Sequence, residues 1–176
     1  LHLFDATADE AAVFVRRLDH LEIDRLAVTR EWTGLRDAAA PGAASAAARG
    51  YYHAMRYVRF QQVLAQHPAT PGLIIDADMM FNRGPEPFFD LLAGHDIAAA
   101  VKKGRLEIHN QIAAGAVAIA PTPGGTTYLR RVAAYLTSCL GQKRLPWGVD
   151  QTALFCVAAV MLAEGSPMAP ADGTHW

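Results

Sequence analysis

The hydrophobic pattern in the first half of the chain alternates between short apolar runs and stretches with helical spacing. In the first helical stretch Ala12, Val15 and Leu18 recur every three or four residues, as on one face of an amphipathic helix. The last apolar run, residues 73–75, is typical of a strand buried on both faces. The predicted elements are strand 1–4, helix 8–20, strand 26–28, helix 46–66 and strand 73–75. Their order predicts an α/β fold.

The second half continues with the same kinds of element. Two further apolar runs predict strands at 97–101 and 116–120, and the Pro-Gly turn at 121–125 precedes an amphipathic helix. A mostly apolar helix is predicted at 151–163. The sequence contains no internal repeat and no linker, so we expect a single domain over residues 1–176.

Composition narrows the classes of function. The 176 residues are 52% hydrophobic and 19% charged, and a net charge of -1 gives no field that would attract nucleic acid. Cys139 and Cys156 lack the spacing of a disulfide scaffold or zinc site, so we predict a cytoplasmic protein with reduced thiols. No apolar run reaches the length of a transmembrane segment.

Two carboxylates follow the apolar run at 73–75. Asp76 and Asp78 lie two residues apart, and extended residues at that spacing point to the same side. Paired carboxylate oxygens suit Mg²⁺ or Mn²⁺ carrying a diphosphate. The alternative interpretation is that both residues end the strand and cap a turn, as aspartate often does.

The long helix before that strand carries two arginines on an apolar stripe. The stripe consists of Tyr52, Arg56, Arg59 and Val63. A buried guanidinium needs an anionic partner. That partner is either functional, a nucleotide diphosphate or Asp76, or structural, an ion pair with Asp5 or Asp90.

Asp150 and Gln151 immediately precede the last apolar helix. A carboxylate beside a carboxamide can bind sugar hydroxyls or hold a base near a reacting carbon. The structural alternative is that Asp150 is the N-cap of the helix.

Three segments together resemble a known family. Residues 51–60, residues 73–81 with the DxD motif, and residues 147–151 resemble, in order and spacing, GT-A fold nucleotide-diphospho-sugar transferases. The bacterial glycogenin-like and lipopolysaccharide-galactosyltransferase-like groups are the most similar. The resemblance implies a three-layer α/β/α GT-A fold with a mainly parallel sheet. It also implies a metal-dependent glycosyltransferase that moves a sugar from a nucleotide-diphosphate donor to a glycan, lipid or protein acceptor.

The resemblance also assigns roles to residues. It implies that Mn²⁺ or Mg²⁺ is held by the two DxD carboxylates, with His175 as an imperfect counterpart of a late histidine ligand, and that Asp150 and Gln151 line the catalytic pocket for donor sugar and acceptor. The implied nucleotide-sugar-binding residues are Arg56, Arg59, Asp76, Ala77, Asp78 and Gly115.

Three departures from the family, of which the imperfect histidine counterpart is one, leave alternatives open. Residues 113–115 read Ala-Ala-Gly where the family has Asn-Ala-Gly, and nothing corresponds to the strand and helix that bind the nucleotide base. We therefore expect a segment of a longer chain that lacks the first βα unit. A catalytically inactive glycosyltransferase-like binding module is the first alternative. The second is a haloacid-dehalogenase-type phosphohydrolase with Asp76 as nucleophile, although Met79 and Met80 follow where that class has Thr or Val.

Overall fold

A computed structural model describes residues 2–18, 28–33, 43–76, 85–101, 104, 106–142 and 145–165. It confirms the predicted mixture of helices and strands. The chain divides into two compact units, Leu1–Tyr52 and His53–Trp176, and each is described by itself. The single GT-A-like domain expected over residues 1–176 stays a prediction.

The first unit contains a small parallel sheet. Strand β1 (His2–Phe4) pairs in parallel with β2 (Thr29–Glu31), and α1 (Ala8–Leu18) lies between them in sequence. Helix α1 begins with a capping box, in which the Glu10 amide donates to Thr7 Oγ1 and the Thr7 amide donates to Glu10 Oε2. The predictions of β1 and α1 are confirmed. The second strand lies at 29–31 rather than 26–28, and residues 26–27 fall outside the described part.

The first unit also holds a buried carboxylate. Asp5 has a positive φ of 49° and accepts hydrogen bonds from the Thr33 amide, the Thr33 hydroxyl and the Tyr52 hydroxyl. The Phe4 ring stacks on the Tyr52 ring with centroids 5.2 Å apart. These contacts connect the end of β1 to the segment after β2 and to the long helix α2 (Ala43–Gln66).

The buried face of α2 is not the predicted stripe. Ala54 and Tyr57 are fully buried, whereas Val63 is 52% exposed. The buried residues lie three positions apart and precede Phe60 and Leu64, which pack against the same core. The prediction that one stripe buries both arginines with Val63 is therefore wrong. It selected a face by helical spacing, but the sheet contacts a neighbouring face of the helix.

The second unit is built on a three-stranded sheet in the order β3-β5-β4. The strands are β3 (Gly72–Ile75), β4 (Ile97–Val101) and β5 (Ile112–Ile119). Both pairings are antiparallel, which corrects the expectation of a mainly parallel sheet for this part of the chain. A short 3₁₀ turn at Ile108–Asn110 precedes β5, and the connection from β4 to β5, residues 102–111, is shorter than the crossover that parallel neighbours need.

Both faces of this sheet are covered, as the apolar runs predict. On one face Val117 and Ile119 pack in a core with helices α4 (Pro123–Gly141) and α5 (Val149–Ala163). On the other, Ala116 and Ala118 pack with Phe88 of the short helix α3 (Glu86–Asp90). Within the described ranges, no helix combines the length and the apolarity that a bilayer crossing requires.

Gly125 in the first turn of α4 has no room for a side chain. A Cβ there would press into the carbonyl oxygen of Ala120 and lie 2.9 Å from that of Asp96. We expect Gly125→Ala to lower the free energy of unfolding by about 1–3 kcal/mol, because backbone atoms must shift. Gly141→Ala, at the other end of α4, meets no atom within 4 Å and is the control. Urea denaturation checks both variants, and equal stabilities would contradict the prediction.

Candidate functional site

The side chain of Arg56 connects three parts of the second unit. Its NH1 donates to Asp76 Oδ1, and its NH2 donates to Asp150 Oδ2 at 2.7 Å and to the Ala114 carbonyl at 3.1 Å. Arg56 lies on α2, Asp76 follows β3, Ala114 is in β5 and Asp150 is in α5. These four residues are called the Arg56 cluster below.

Strand pairing fixes the position of Asp76. Its amide donates to the Gly115 carbonyl at 2.7 Å, which extends the β3–β5 ladder by one residue. The ladder therefore places Asp76 opposite Gly115, which follows Ala114, and Arg56 also contacts the Ala114 carbonyl. The side chain of Asp76 is 38% exposed, and among the described residues only Arg56 donates to it. Asp76 can thus still contact a ligand.

Asp150 is enclosed, unlike Asp76. Its side chain is 2% exposed, Oδ2 accepts from Arg56, and Oδ1 accepts from the Gln151 amide at 2.9 Å. The structural alternative is correct only in part: the N-cap of α5 is Gly148, which has a φ of 77°, and not Asp150. The Gln151 amide that donates to Asp150 does belong to the first turn, as that alternative expects. Asp150 lies one residue inside the first turn. Its carboxylate is therefore the buried counter-charge of Arg56.

Tyr57 supports the cluster from the core. Its hydroxyl donates to the Ala114 carbonyl at 2.9 Å, and its ring centroid is 5.1 Å from the guanidinium carbon of Arg56. Burial raises the pKa of the Tyr57 hydroxyl, and the nearby charge of Arg56 lowers this pKa only in part. Tyr57 is therefore a neutral donor that helps to fix the backbone of β5.

Two buried polar atoms in this region have no hydrogen-bond partner among the described residues. They are Nε of Arg56 and Oε1 of Gln151. A buried donor or acceptor without a partner is costly, and such atoms are commonly satisfied by water or a ligand. Nε is a donor suited to an anion, whereas the amide oxygen of Gln151 is an acceptor suited to a hydroxyl group.

The structure does not bring all predicted site residues together. Among the described contacts, Arg59 donates through NH1 to Gln62 Oε1 at 2.7 Å, on an exposed part of α2. Gly115 contributes its carbonyl to the Asp76 amide. Three predicted residues lie outside the described part: Ala77, Asp78 and His175.

Sequence reasoning missed two participants. Tyr57 follows Arg56 directly, but its packing role has no signature that separates it from the other aromatic residues in that segment. The Ala114 carbonyl accepts from both Arg56 and Tyr57, and a backbone contact of this kind leaves no mark on residue type. A further contact joins His109 and Trp147, whose rings are perpendicular with centroids 5.6 Å apart, just before α5.

The described residues fit a divalent cation only as a partial site. Within these residues, no group of three His, Cys, Asp or Glu side chains is placed to hold a metal ion. Asp76 fits as one oxygen ligand, because its carboxylate is partly exposed and its Oδ2 accepts no hydrogen bond within the described part. The metal assignments of Asp76, Asp78 and His175 remain predictions.

Two cavities of the second unit lie away from the Arg56 cluster. One of about 250 Å³ is lined mainly by apolar side chains, including Leu64, Ile119 and Leu129. The other, of about 340 Å³, is lined mainly by residues of α4 and α5, including Tyr135 and Thr152. No residue of the cluster lines either cavity, so we place the candidate site by chemistry rather than by cavity size.

Comparison of the chain with known protein families, with curated proteins and with solved structures finds no match in any of the three.

Proposed function

We propose that this chain is a GT-A-type glycosyltransferase domain that binds a nucleotide-diphosphate sugar beside Asp76. One observation supports the proposal above all others: the three sequence segments that carry the resemblance meet at Arg56. Asp76 and Asp150 are 20 and 94 residues from Arg56 in sequence, yet both side chains are in direct contact with the Arg56 side chain. Charged side chains that meet in this way occur at functional sites, although structural networks also contain them.

The residues of the cluster would have different tasks in the reaction. Mn²⁺ or Mg²⁺, held through Asp76 and the proposed partner Asp78, would supply neutralisation of the charge on the departing nucleoside diphosphate. Arg56 would orient Asp76, and Gln151 would accept a hydrogen bond from a sugar hydroxyl through its unpartnered Oε1. Asp150 has both oxygens engaged, so it would position Arg56 rather than receive a proton from the acceptor.

A glycosyltransferase-like module that binds without turnover is the second candidate. The observation that favours it is the ion pair of Asp76 with Arg56, because a carboxylate paired to arginine has less capacity for a cation. The two candidates differ in one measurable step, which is breakage of the bond between sugar and diphosphate.

Thermal unfolding with and without Mn²⁺, in a panel of UDP, GDP, CDP and ADP, tests donor binding. At a ligand concentration of roughly 100 times Kd, a nucleotide that binds only the folded state adds about 2.7 kcal/mol of stability. We expect one nucleotide to raise Tm in Mn²⁺ and none to do so in EDTA. Asp76→Asn should abolish the shift. Glu164→Gln, which changes an exposed carboxylate at the C-terminal end of α5, should retain it.

The outcomes separate the two candidates. A Tm shift accompanied by nucleotide release from the matching nucleotide sugar supports the transferase, and a shift without release supports the module. If no nucleotide shifts Tm in Mn²⁺, both forms of the proposal are wrong.

A further inference from the structure

Two segments of the second unit meet beside the start of α5. The 3₁₀ turn at Ile108–Asn110 packs against α5, and the rings of His109 and Trp147 are in contact with centroids 5.6 Å apart. Gly148 permits this approach, because a Cβ on it would lie 3.1 Å from the Cβ of His109. The segment that leads into the turn and the segment that leads into α5 are therefore neighbours in space.

Large apolar side chains of these two segments are exposed to solvent. Leu106 is 93% exposed, Trp147 is 65% exposed and Ile108 is 46% exposed. A single exposed apolar residue is ordinary, but several on adjoining segments indicate an interaction surface. These three side chains are called the apolar patch below.

The sequence around the apolar patch is basic. The chain as a whole has a net charge of -1, so this excess of positive charge is local. The acidic residue within the first segment, Glu107, accepts a hydrogen bond through Oε2 from Asn110. Five of the 16 lysines and arginines of the chain flank the patch in sequence: Lys102, Lys103, Arg105, Lys143 and Arg144.

We propose that this surface docks the chain on an anionic lipid bilayer. Basic side chains are attracted to anionic headgroups, while tryptophan lies at headgroup level and aliphatic side chains reach the acyl boundary. The apolar patch and its basic flanks complement both layers of such a surface. Nucleic acid would attract the basic residues and stack on Trp147, but it would leave Leu106 and Ile108 without a partner.

Docking would also place the candidate site close to lipid. Trp147 lies three residues before Asp150, so a docked chain holds the Arg56 cluster near the bilayer surface. This last step rests on the proposed function: among glycan, lipid and protein acceptors, it selects an acceptor linked to a lipid. The docking itself does not depend on that function.

Cosedimentation of the chain with lipid vesicles, without metal or nucleotide, tests the charge contribution. We expect binding to vesicles of phosphatidylglycerol and phosphatidylcholine in equal parts, and much weaker binding to phosphatidylcholine alone. Arg105→Gln should lower the affinity about fivefold, the contribution of one basic residue near an anionic surface. Arg130→Gln is the matched control and should change it less than about twofold, because exposed Arg130 lies about 16 Å along α4 from the end that precedes the patch.

The apolar contribution has its own pair of variants. Leu106→Ala should lower the vesicle affinity about five- to tenfold, because it removes aliphatic carbons that leave water on docking. Leu162→Ala removes the same atoms from a leucine that is 50% exposed, about 20 Å along α5 from its first turn, and should have little effect. Both leucines are exposed, so neither change should impair folding, and circular dichroism verifies this.

Tryptophan emission reports where the patch lies in the bound state. Anionic vesicles should shift the emission of the chain to shorter wavelength, because Trp147 enters a less polar environment. Trp147→Phe should remove most of this shift while retaining most of the binding, since the other two tryptophans, Trp32 and Trp176, lie elsewhere in the sequence.

Three results would overturn the docking: no binding to the anionic vesicles, losses in Arg105→Gln and Leu106→Ala that their controls share, or an unchanged emission shift in Trp147→Phe. Binding to duplex DNA as tight as to vesicles, with no effect of Leu106→Ala on either, would identify nucleic acid as the partner instead. A failed nucleotide screen in Mn²⁺ would remove the glycosyltransferase and its lipid-linked acceptor but leave vesicle binding intact, so the two failures are distinguishable.

Discussion

Replacing Asp150 with alanine is expected to lower the free energy of unfolding by about 3–5 kcal/mol, because it leaves the Arg56 guanidinium in the core without its enclosed partner. The Asp150 side chain is 2% exposed, and the Arg56 side chain is 19% exposed. Water therefore cannot replace the lost carboxylate fully. The Gln151 amide loses its acceptor in the same change. Urea denaturation followed by circular dichroism measures the effect.

Two variants make this prediction specific. Asp76→Ala removes the other carboxylate from Arg56 and should cost at most about 1 kcal/mol, because that pair is in contact with solvent. Arg56→Met combined with Asp150→Leu removes both charges and should recover much of the stability lost in Asp150→Ala. A loss below about 1 kcal/mol in Asp150→Ala would show that the pair does not stabilise the fold, since this is the size expected of a surface pair.

Much of the second unit could be predicted from local sequence. The strand at 97–101 has the predicted bounds, and the last helix begins two residues before the predicted start. These segments are mostly apolar, and a mostly apolar segment is usually buried whichever neighbour it meets. The strand before Asp76 is equally well marked, by Pro71 before it and by three large aliphatic residues.

Properties that depend on a neighbour could not be predicted in the same way. The antiparallel direction of β5 follows from a short turn at 108–110 whose polar sequence resembles any loop. The face that α2 buries depends on where the sheet lies, and helical spacing alone offers several faces with similar apolar content. Asp150 resembles an N-cap in sequence, but Gly148 ends the turn earlier and leaves Asp150 to pair with Arg56.

In the candidate site, too, some contacts could be predicted from the sequence and others depend on packing. Sequence reasoning considered Asp76 as a partner of Arg56, and the structure places these two side chains in contact. It considered Asp5 and Asp90 as structural partners, but the described contacts of Arg56 are to Asp76, Asp150 and a backbone carbonyl. The sequence interpretation assigns Asp150 to sugar binding and not to Arg56. The burial of Asp150 comes from the packing of α5, which its neighbours in sequence do not indicate.

Alkaline pH should destabilise the fold steeply through Tyr57 and Tyr128. Both side chains are fully buried, and burial is the main cause that raises the pKa of each hydroxyl above its ordinary value near 10. The folded chain then holds protons that the unfolded chain loses. The stabilising contribution is complete below pH 10 and falls as pH rises above it, by about 1.4 kcal/mol per pH unit for each tyrosine.

Tyr57→Phe isolates one of these contributions. At neutral pH the variant should lose only about 0.5–1.5 kcal/mol, the value of the hydrogen bond to the Ala114 carbonyl, which Arg56 continues to contact. Between pH 10 and 11.5 its stability should fall less steeply than that of the unchanged chain, by about 1.4 kcal/mol per pH unit.

Tyr135→Phe is the control, because Tyr135 is 40% exposed and its hydroxyl can ionise in the folded chain more easily than the buried hydroxyl of Tyr57. Urea titrations at each pH measure the slopes, and equal slopes for Tyr57→Phe and the unchanged chain would mean that the Tyr57 hydroxyl ionises in the folded state. In that case the neutral donor that holds β5 against Arg56 would be absent at high pH.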